Sequence, residues 1–145
     1  MKPKAGMLTT NKEHKALIIK ELEFILGRMD QARNPDEKIY FFSAVQALFN
    51  RILNLEYTEN LLMAFYATND AYLSFQQRLS ANKQGDIAAI LTEDQLTKLS
   101  EVTKEFLKQV VDDGDIDSVL RKYFVLGYSA TGNGYYLMQK GILPI

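Results

Sequence analysis

Apolar residues recur at helical spacing along most of this chain. Residues 36–84 contain no Gly or Pro and are dense in Leu, Ile, Phe, Tyr and Ala. Because Gly and Pro are the strongest local breakers of regular structure, this stretch predicts long helices packed side by side. No segment shows the alternation of apolar and polar residues that is typical of strands. The pattern therefore predicts an all-α protein.

The apolar positions divide the chain into five amphipathic segments joined by short polar connections. Together they predict an all-α, four- to five-helix up-and-down bundle, with a ferritin-like form containing one crossover connection as a variant. The core positions predicted from the stripes are, segment by segment, Ile18, Leu22, Ile25 and Met29; Phe42, Val45, Phe49 and Ile52; Leu62, Phe65, Tyr72 and Leu79; Leu96, Leu99, Phe106 and Val110; and Val119, Leu120, Tyr123, Phe124 and Leu126.

Several helix boundaries are open to two interpretations. Residues 36–84 form either one bent helix or, as we favour, two helices separated by a turn near residues 54–57, with Thr58 as the following N-cap. A continuous helix would bury Glu56 and Glu59. The capping-box sequence of residues 92–95 predicts the start of the fourth helix. The small residues of segment 127–134 either break the last helix or allow it to pack closely.

The chain predicts one folded domain. Its 145 residues suffice for a single core. Pro3 and Gly6 discourage regular structure near the start, so residues 1–9 are expected to be a flexible N-terminal tail and residues 10–145 a single helical-bundle domain.

Composition and charge narrow the class of partner. The net charge is −1, which gives no whole-molecule attraction to nucleic acid or to an anionic membrane. No apolar run approaches the roughly 18 residues of a membrane span, and no apolar segment follows the first basic residues. We therefore expect a soluble, cytoplasmic protein that binds neither nucleic acid nor membrane.

Residue types that commonly carry catalysis are scarce. The chain has one His and no Cys, and His14 lies in a polar run, where we expect it to be solvated. No Glu precedes a His by three positions, as a ferritin-type iron site requires. The acids Asp113, Asp115 and Asp117 lack the Gly and Glu of a calcium loop. We expect no metal and no cofactor, and we favour a protein that is not an enzyme, with its catalytic residues unknown.

Segment 127–136 is the most unusual part of the sequence. A Gly-rich turn can present backbone N–H groups to phosphate, and its tyrosines can stack on a ring. The string of residues 131–135 resembles the Thr-Gly-x-Gly-Asp phosphate motif of cobalamin adenosyltransferases, although it ends in Tyr and lies near the C-terminus. That resemblance implies nucleotide binding between subunits of a helical bundle. The candidate ligand-binding residues are Tyr128, Ser129, Thr131, Gly132, Asn133, Gly134 and Tyr135.

Apolar residues outside the predicted core faces indicate association. The residues in question are Tyr40, Phe41, Tyr57 and Leu61, and contiguous exposed apolar surface usually marks an interface. Asn69 and Gln76, on or near the third stripe, would specify packing register or line a small polar pocket. The leading hypothesis is an oligomeric interaction, scaffold or regulatory module that forms homo-oligomers and binds a protein partner. The alternative is a small-molecule- or nucleotide-binding bundle of cobalamin adenosyltransferase-like architecture.

Overall fold

The structure, a computed structural model, describes residues 7–82 and 89–131, with side chains described for residues 7–80 and 95–127. These residues form five α-helices and no strand, which confirms the all-α bundle. The helices are α1 (Lys12–Asp30), α2 (Pro35–Leu53), α3 (Glu59–Asn82), α4 (Ala89–Val111) and α5 (Asp117–Thr131).

Polar side chains fix where the first three helices begin. Asn11 Oδ1 accepts the backbone N–H of His14 at 3.0 Å, and Asn34 Oδ1 accepts that of Glu37 at 2.9 Å. Thr58 Oγ1 accepts the N–H of Leu61 at 3.0 Å. Each cap satisfies a donor that has no partner within its helix. The turn of residues 54–58 thus separates α2 from α3, and the two-helix interpretation of residues 36–84 is confirmed.

The predicted start of α4 is wrong by about one turn. The helix begins at Ala89, so residues 92–95 lie inside it instead of capping it. The described residues ahead of Thr92 are Ala89, Ile90 and Leu91. Ala and Leu are among the strongest helix formers, and they carry the helix upstream of the capping-box sequence.

The start of α1, the α2–α3 turn and the α4–α5 turn meet at one end, which we name the N-terminal end; the opposite end is the distal end. The hydroxyl of Thr58 donates to Leu8 O at 3.0 Å, and Lys15 Nζ lies 2.9 Å from Asp113 Oδ1. Helix α5 lies between α3 and α4, so α3 and α4 touch little although they are consecutive. Because α3 and α5 both begin at the N-terminal end, they run parallel.

An aromatic cluster occupies the centre of the core. The rings of Phe49 and Phe106 lie 5.5 Å apart, and that of Tyr123 lies 6.0 Å from Phe106 and 5.9 Å from Phe42. All four side chains are fully buried, and each contributes roughly 1.5–3 kcal/mol. The core positions predicted for α1, α2, α4 and α5 are confirmed, except that Phe124 is only partly buried.

The predicted core face of α3 is confirmed at Leu79 but is wrong at its other three positions. Its buried residues are Leu61, Ala64, Ala67, Thr68, Ala71, Ser74, Phe75 and Leu79. Leu62, Phe65 and Tyr72, which the pattern placed inward, are only partly buried, whereas Leu61, which it placed partly outside, is fully buried. The reason is the close approach of α5: a Cβ atom at Gly127 would lie 3.4 Å from the Cα of Ala71. Small residues face that contact because larger ones would not fit.

Residues 7–9, expected to belong to a flexible tail, lie against the α2–α3 turn. Leu8 is 3% exposed and Thr9 is 4% exposed. Asn60 donates its side-chain N–H to Met7 O, and Thr9 donates its hydroxyl to Glu56. This segment therefore closes the N-terminal end of the core.

Candidate functional site

The outward-facing side of α3 exposes large apolar side chains. Met63, Tyr66 and Leu73 are 43%, 52% and 46% exposed, and their spacing of three and seven residues places them on one helical stripe. The half-buried Leu62 extends the stripe toward the N-terminal end. We call the surface formed by Leu62, Met63, Tyr66, Asn69, Asp70, Leu73, Gln76 and Gln77 the α3 face.

The α3 face carries very little charge. Between Glu59 and Arg78, the only Asp, Glu, Lys or Arg is Asp70. The exposed side of α4 differs, since it carries Lys98, Glu101, Lys104 and Lys108. Interface centres are depleted in charged residues and enriched in Tyr and Met. This gap in charge is visible in the sequence, and it is the signal that could have identified the α3 face.

The middle of the α3 face is polar and half-buried. Asn69 and Asp70 lie side by side there, and neither side chain forms a hydrogen bond within the described residues. Burial raises the pKa of the Asp70 carboxyl above its ordinary value. The ring of Tyr66 contacts that of its neighbour Phe65 in a tilted arrangement, with 5.9 Å between the ring centroids. The face thus combines an exposed aromatic side chain with two partly solvent-accessible polar groups.

A cleft borders the α3 face toward the distal end. It has a volume of about 350 Å³ and lies between the start of α2 and the last turns of α3. Tyr40, which is 70% exposed, forms one wall, and Tyr72 and Gln76 form the other. Gln76 thus lines a pocket, which was one of its two predicted roles, but it is exposed and not buried.

The single histidine is paired, so the prediction that it is solvated is wrong. His14 Nδ1 lies 2.6 Å from Glu56 Oε1, and the two side chains are 17% and 19% exposed. Thr9 donates its hydroxyl to the same oxygen. The Glu56 carboxylate therefore lies between the Thr9 hydroxyl and the His14 imidazole. In a hydrolase triad the imidazole lies beside the nucleophilic hydroxyl, so this order of groups is not that of a triad. This cluster holds residues 7–9 against the bundle.

The predicted ligand-binding segment lies largely outside the described residues. Helix α5 continues past Gly127 to Thr131, so Gly127 does not break it. Tyr128, Ser129 and Thr131 belong to the last turn of α5, and their side chains are not described. Gly132, Asn133, Gly134 and Tyr135 lie outside the described residues, and the binding site stays a prediction.

Other site chemistry is sparse in the part of the chain that the structure describes. Within residues 7–82 and 89–131, no three metal-binding side chains cluster together. No described helix is both long enough and apolar enough to cross a membrane. Near the distal end, the buried atoms Arg78 Nε and Gln95 Oε1 have no hydrogen-bond partner among the described residues.

Comparisons with protein-family models, with curated proteins and with solved structures each gave no match to this chain.

Proposed function

We propose that this protein acts by binding protein surfaces, as a homo-oligomeric interaction module of the scaffold or regulatory kind. The observation that supports this function is the α3 face, where Met63, Tyr66 and Leu73 are exposed around a single charge. Isolated exposed apolar residues are ordinary, but a contiguous stripe of them usually marks an interaction site.

The experiment is sedimentation velocity over a range of protein concentrations, together with binding of a hydrophobic fluorescent dye. We expect concentration-dependent association, or dye binding by any remaining monomer. Replacing both Tyr66 and Leu73 with Ser should reduce both signals, because it removes two large side chains of the stripe. A monodisperse monomer that binds no dye would contradict the proposal.

A matched control uses two residues at the α2–α3 turn. Leu55 and Tyr57 are 64% and 67% exposed, so they resemble the residues of the α3 face in exposure and type but belong to the turn before α3, and this control also tests the expectation that Tyr57 takes part in association. Leu55→Ser together with Tyr57→Ser should leave association and dye binding close to those of the unchanged protein. If both double variants lost association and dye binding to the same extent, the apolar interaction would not be specific to the α3 face.

The second candidate function is binding of a small molecule or nucleotide at the distal end. It is supported by the cleft of about 350 Å³ and by the position of Thr131 at the same end. Ligand at 100 times its dissociation constant should stabilise the fold by about 2.7 kcal/mol. Thermal shifts with ATP and with cobalamin test this function. A shift should be lost in Gly132→Val or Tyr135→Ala, and no shift with either ligand would reject it.

A further inference from the structure

An exposed arginine on α1 contacts two phenylalanine rings. The guanidinium carbon of Arg28 lies 5.6 Å from the centre of the Phe24 ring and 5.8 Å from that of Phe41 on α2. The ring of Tyr40 meets that of Phe41 edge-on, with 5.4 Å between their centres. Phe24 and Tyr40 are 64% and 70% exposed. We call these four residues the arginine cluster, which belongs to α1 and α2 and not to the α3 face.

The charge of Arg28 is not neutralised within the described residues. There its guanidinium forms the two ring contacts but no ion pair and no hydrogen bond. Glu21 Oε2, on α1, lies 3.7 Å from Arg51 Nη2. Glu37 Oε1, near the start of α2, lies 2.8 Å from Arg33 Nη2. These two carboxylates thus have other partners, and the N–H donors of Arg28 remain available.

The position of Arg28 explains its charge but not its aromatic surroundings. A basic residue in the last turn of a helix complements the helix dipole, and Arg28 is the basic residue in the last turn of α1. The dipole requires no ring, yet Phe24 leaves most of its surface in water beside the guanidinium. Arg, Tyr and Phe are enriched at the centres of protein interfaces. The arginine cluster therefore has the composition of a binding site.

The arginine cluster continues into the cleft of about 350 Å³ at the distal end. Tyr40 forms one wall of that cleft, and Ile39 and Leu79 add apolar surface. Asp36 also lines it, so a second acidic group would meet like charge there. The two positions therefore favour different side chains, a carboxylate at Arg28 and an uncharged apolar side chain in the cleft.

We propose that the arginine cluster and the cleft together bind an extended acidic peptide segment of a partner protein. A carboxylate of that segment accepts N–H donors from Arg28, whose planar guanidinium matches carboxylate geometry. An apolar side chain of the same segment enters the cleft beside Tyr40. This inference rests on the proposed protein-binding function and adds a second surface with a different kind of partner.

The ring contacts limit the spacing of the two side chains. The guanidinium carbon of Arg28 is 5.8 Å from the Phe41 ring, which is 5.4 Å from the Tyr40 ring. An extended chain advances about 3.4 Å per residue, so four residues span about 14 Å. Side chains an even number of positions apart point to the same side of such a chain. An acidic residue four positions from a large apolar one therefore reaches both Arg28 and the cleft.

One uncompensated guanidinium matches a single carboxylate better than a polyanion. Nucleic-acid binding neutralises several phosphates at once, and anionic membranes attract segments with about four to eight basic residues. Arg28 is the only charged member of the arginine cluster, and the whole chain has a net charge of −1. The charge of this surface therefore favours an acidic peptide.

Selection of displayed random peptides tests the proposal, with the unchanged protein and Arg28→Gln as parallel targets. We expect the unchanged protein to enrich peptides in which Asp or Glu lies four positions from a large apolar residue. Arg28→Gln should lose that enrichment. Equal enrichment on the two targets, including none on either, would overturn the proposal, and so would selected peptides without an acidic residue.

Fluorescence anisotropy with the best selected peptide measures the contribution of each side chain. Arg28→Gln should weaken binding by about tenfold or more, the loss typical of a hydrogen bond to a charged group. Arg28→Lys should also weaken binding, because an ammonium lacks the planar fork. Phe24→Ser and Tyr40→Ser should each weaken binding by removing a ring. Arg121→Gln is the matched control, since Arg121 is exposed on α5, and a loss equal to that of Arg28→Gln would overturn the proposal.

Two further probes separate other occupants of the arginine cluster. They are single-stranded DNA and vesicles of phosphatidylcholine with phosphatidylserine. Tighter binding of either probe than of the peptide, lost in Arg28→Gln, would overturn the proposal and assign the cluster to phosphate groups.

Sedimentation velocity separates this inference from the proposed function. If the protein associates through the α3 face but enriches no acidic peptide, this inference alone fails. If it is a monodisperse monomer that binds no dye but enriches acidic peptides through Arg28, the function of the α3 face fails and the peptide site stands.

Discussion

Asp70 of α3 lies directly opposite Gly127 of α5. A Cβ atom on Gly127 would lie 3.0 Å from Asp70 Oδ2, and the Cα of Ala71 would be 3.4 Å away. The absence of a side chain at Gly127 therefore sets how closely the two parallel helices approach. It also explains the run of small residues on the core face of α3.

Enlarging Gly127 should destabilise the protein. Gly127→Leu inserts a side chain against the backbone of α3, and overpacking of this kind costs about 1–3 kcal/mol. Gly27 in α1 is the matched control, since it is exposed and a Cβ there meets nothing within 4 Å. Gly27→Ala should stabilise the protein by roughly 0.5–1 kcal/mol through backbone entropy alone. Urea unfolding followed by circular dichroism measures both changes. Equal effects at the two positions would show that α5 does not approach α3 so closely.

Asp70 should make stability depend on pH. Burial raises the pKa of its carboxyl in the folded state, so the ionised form disfavours folding, and stability falls as pH rises through that pKa. Asp70→Asn should therefore be more stable than the unchanged protein at pH 7, by less than about 1 kcal/mol because solvent screens the partly exposed group. The difference should vanish below about pH 3, where the carboxyl is protonated in both states.

Unfolding curves at several pH values, recorded at low protein concentration, test the prediction for Asp70. Glu23→Gln, which replaces an exposed carboxylate on α1, is measured alongside as the control for the loss of one negative charge. The prediction is that Asp70→Asn gains stability over the unchanged protein as the pH rises from 3 to 7. A loss of stability over that range would contradict it.

A buried polar pair should show coupled effects on stability. The hydroxyl of Tyr123 donates to Thr103 Oγ1 at 2.9 Å, and that of Thr103 donates to Leu99 O at 2.8 Å. Tyr123→Phe removes one hydrogen bond and should cost about 1 kcal/mol. Thr103→Val leaves the Tyr123 hydroxyl buried without a partner and should cost about 1–3 kcal/mol. The double variant should lose less than the sum of the single losses, and strict additivity in a double-mutant cycle would contradict the pairing.

Leu8 should contribute to stability although it precedes the first helix. Its side chain is 3% exposed, so Leu8→Ala should cost about 2 kcal/mol or more. Leu17 in α1, which is 37% exposed, is the matched control, and its replacement by Ala should cost clearly less. Thermal unfolding of both variants decides this. A negligible effect at Leu8 would mean that residues 7–9 detach from the bundle in solution.

The sequence alone predicts most of the fold because large apolar residues mark the core faces of α1, α2, α4 and α5. It fails for α3, where the buried positions include Ala64, Ala67 and Ala71. Alanine carries little weight in an apolar pattern, so the larger Leu62, Phe65 and Tyr72 determined the predicted face. Small residues face the core on α3 because α5 approaches closely there. This contact joins residues far apart in the sequence, so the apolar periodicity within α3 cannot reveal it.

The candidate site was less predictable for two reasons. The sequence analysis considers which apolar residues lie outside the core faces but not where charged residues are missing, so it does not identify the α3 face with its exposed Met63 and Tyr66. The pairing of His14 with Glu56 joins residues 42 positions apart, and nothing near His14 in the sequence indicates it. The Gly/Tyr-rich segment predicted as a ligand site lies mostly beyond Thr131, outside the described residues.

The position of the last helix has a consequence for how the chain acquires its fold. Helix α5 is the last of the described helices to be synthesised, yet it lies between α3 and α4 and contacts both. Gly127 contacts Asp70 and Ala71, which lie far from it in the sequence. The chain between α3 and α5 must therefore lose loop-closure entropy before these contacts can form. Such long-range contacts raise contact order and slow folding relative to a bundle of neighbouring hairpins. A nascent chain that ends before α5 would expose the alanine face of α3, so completion of the core waits for the final helix.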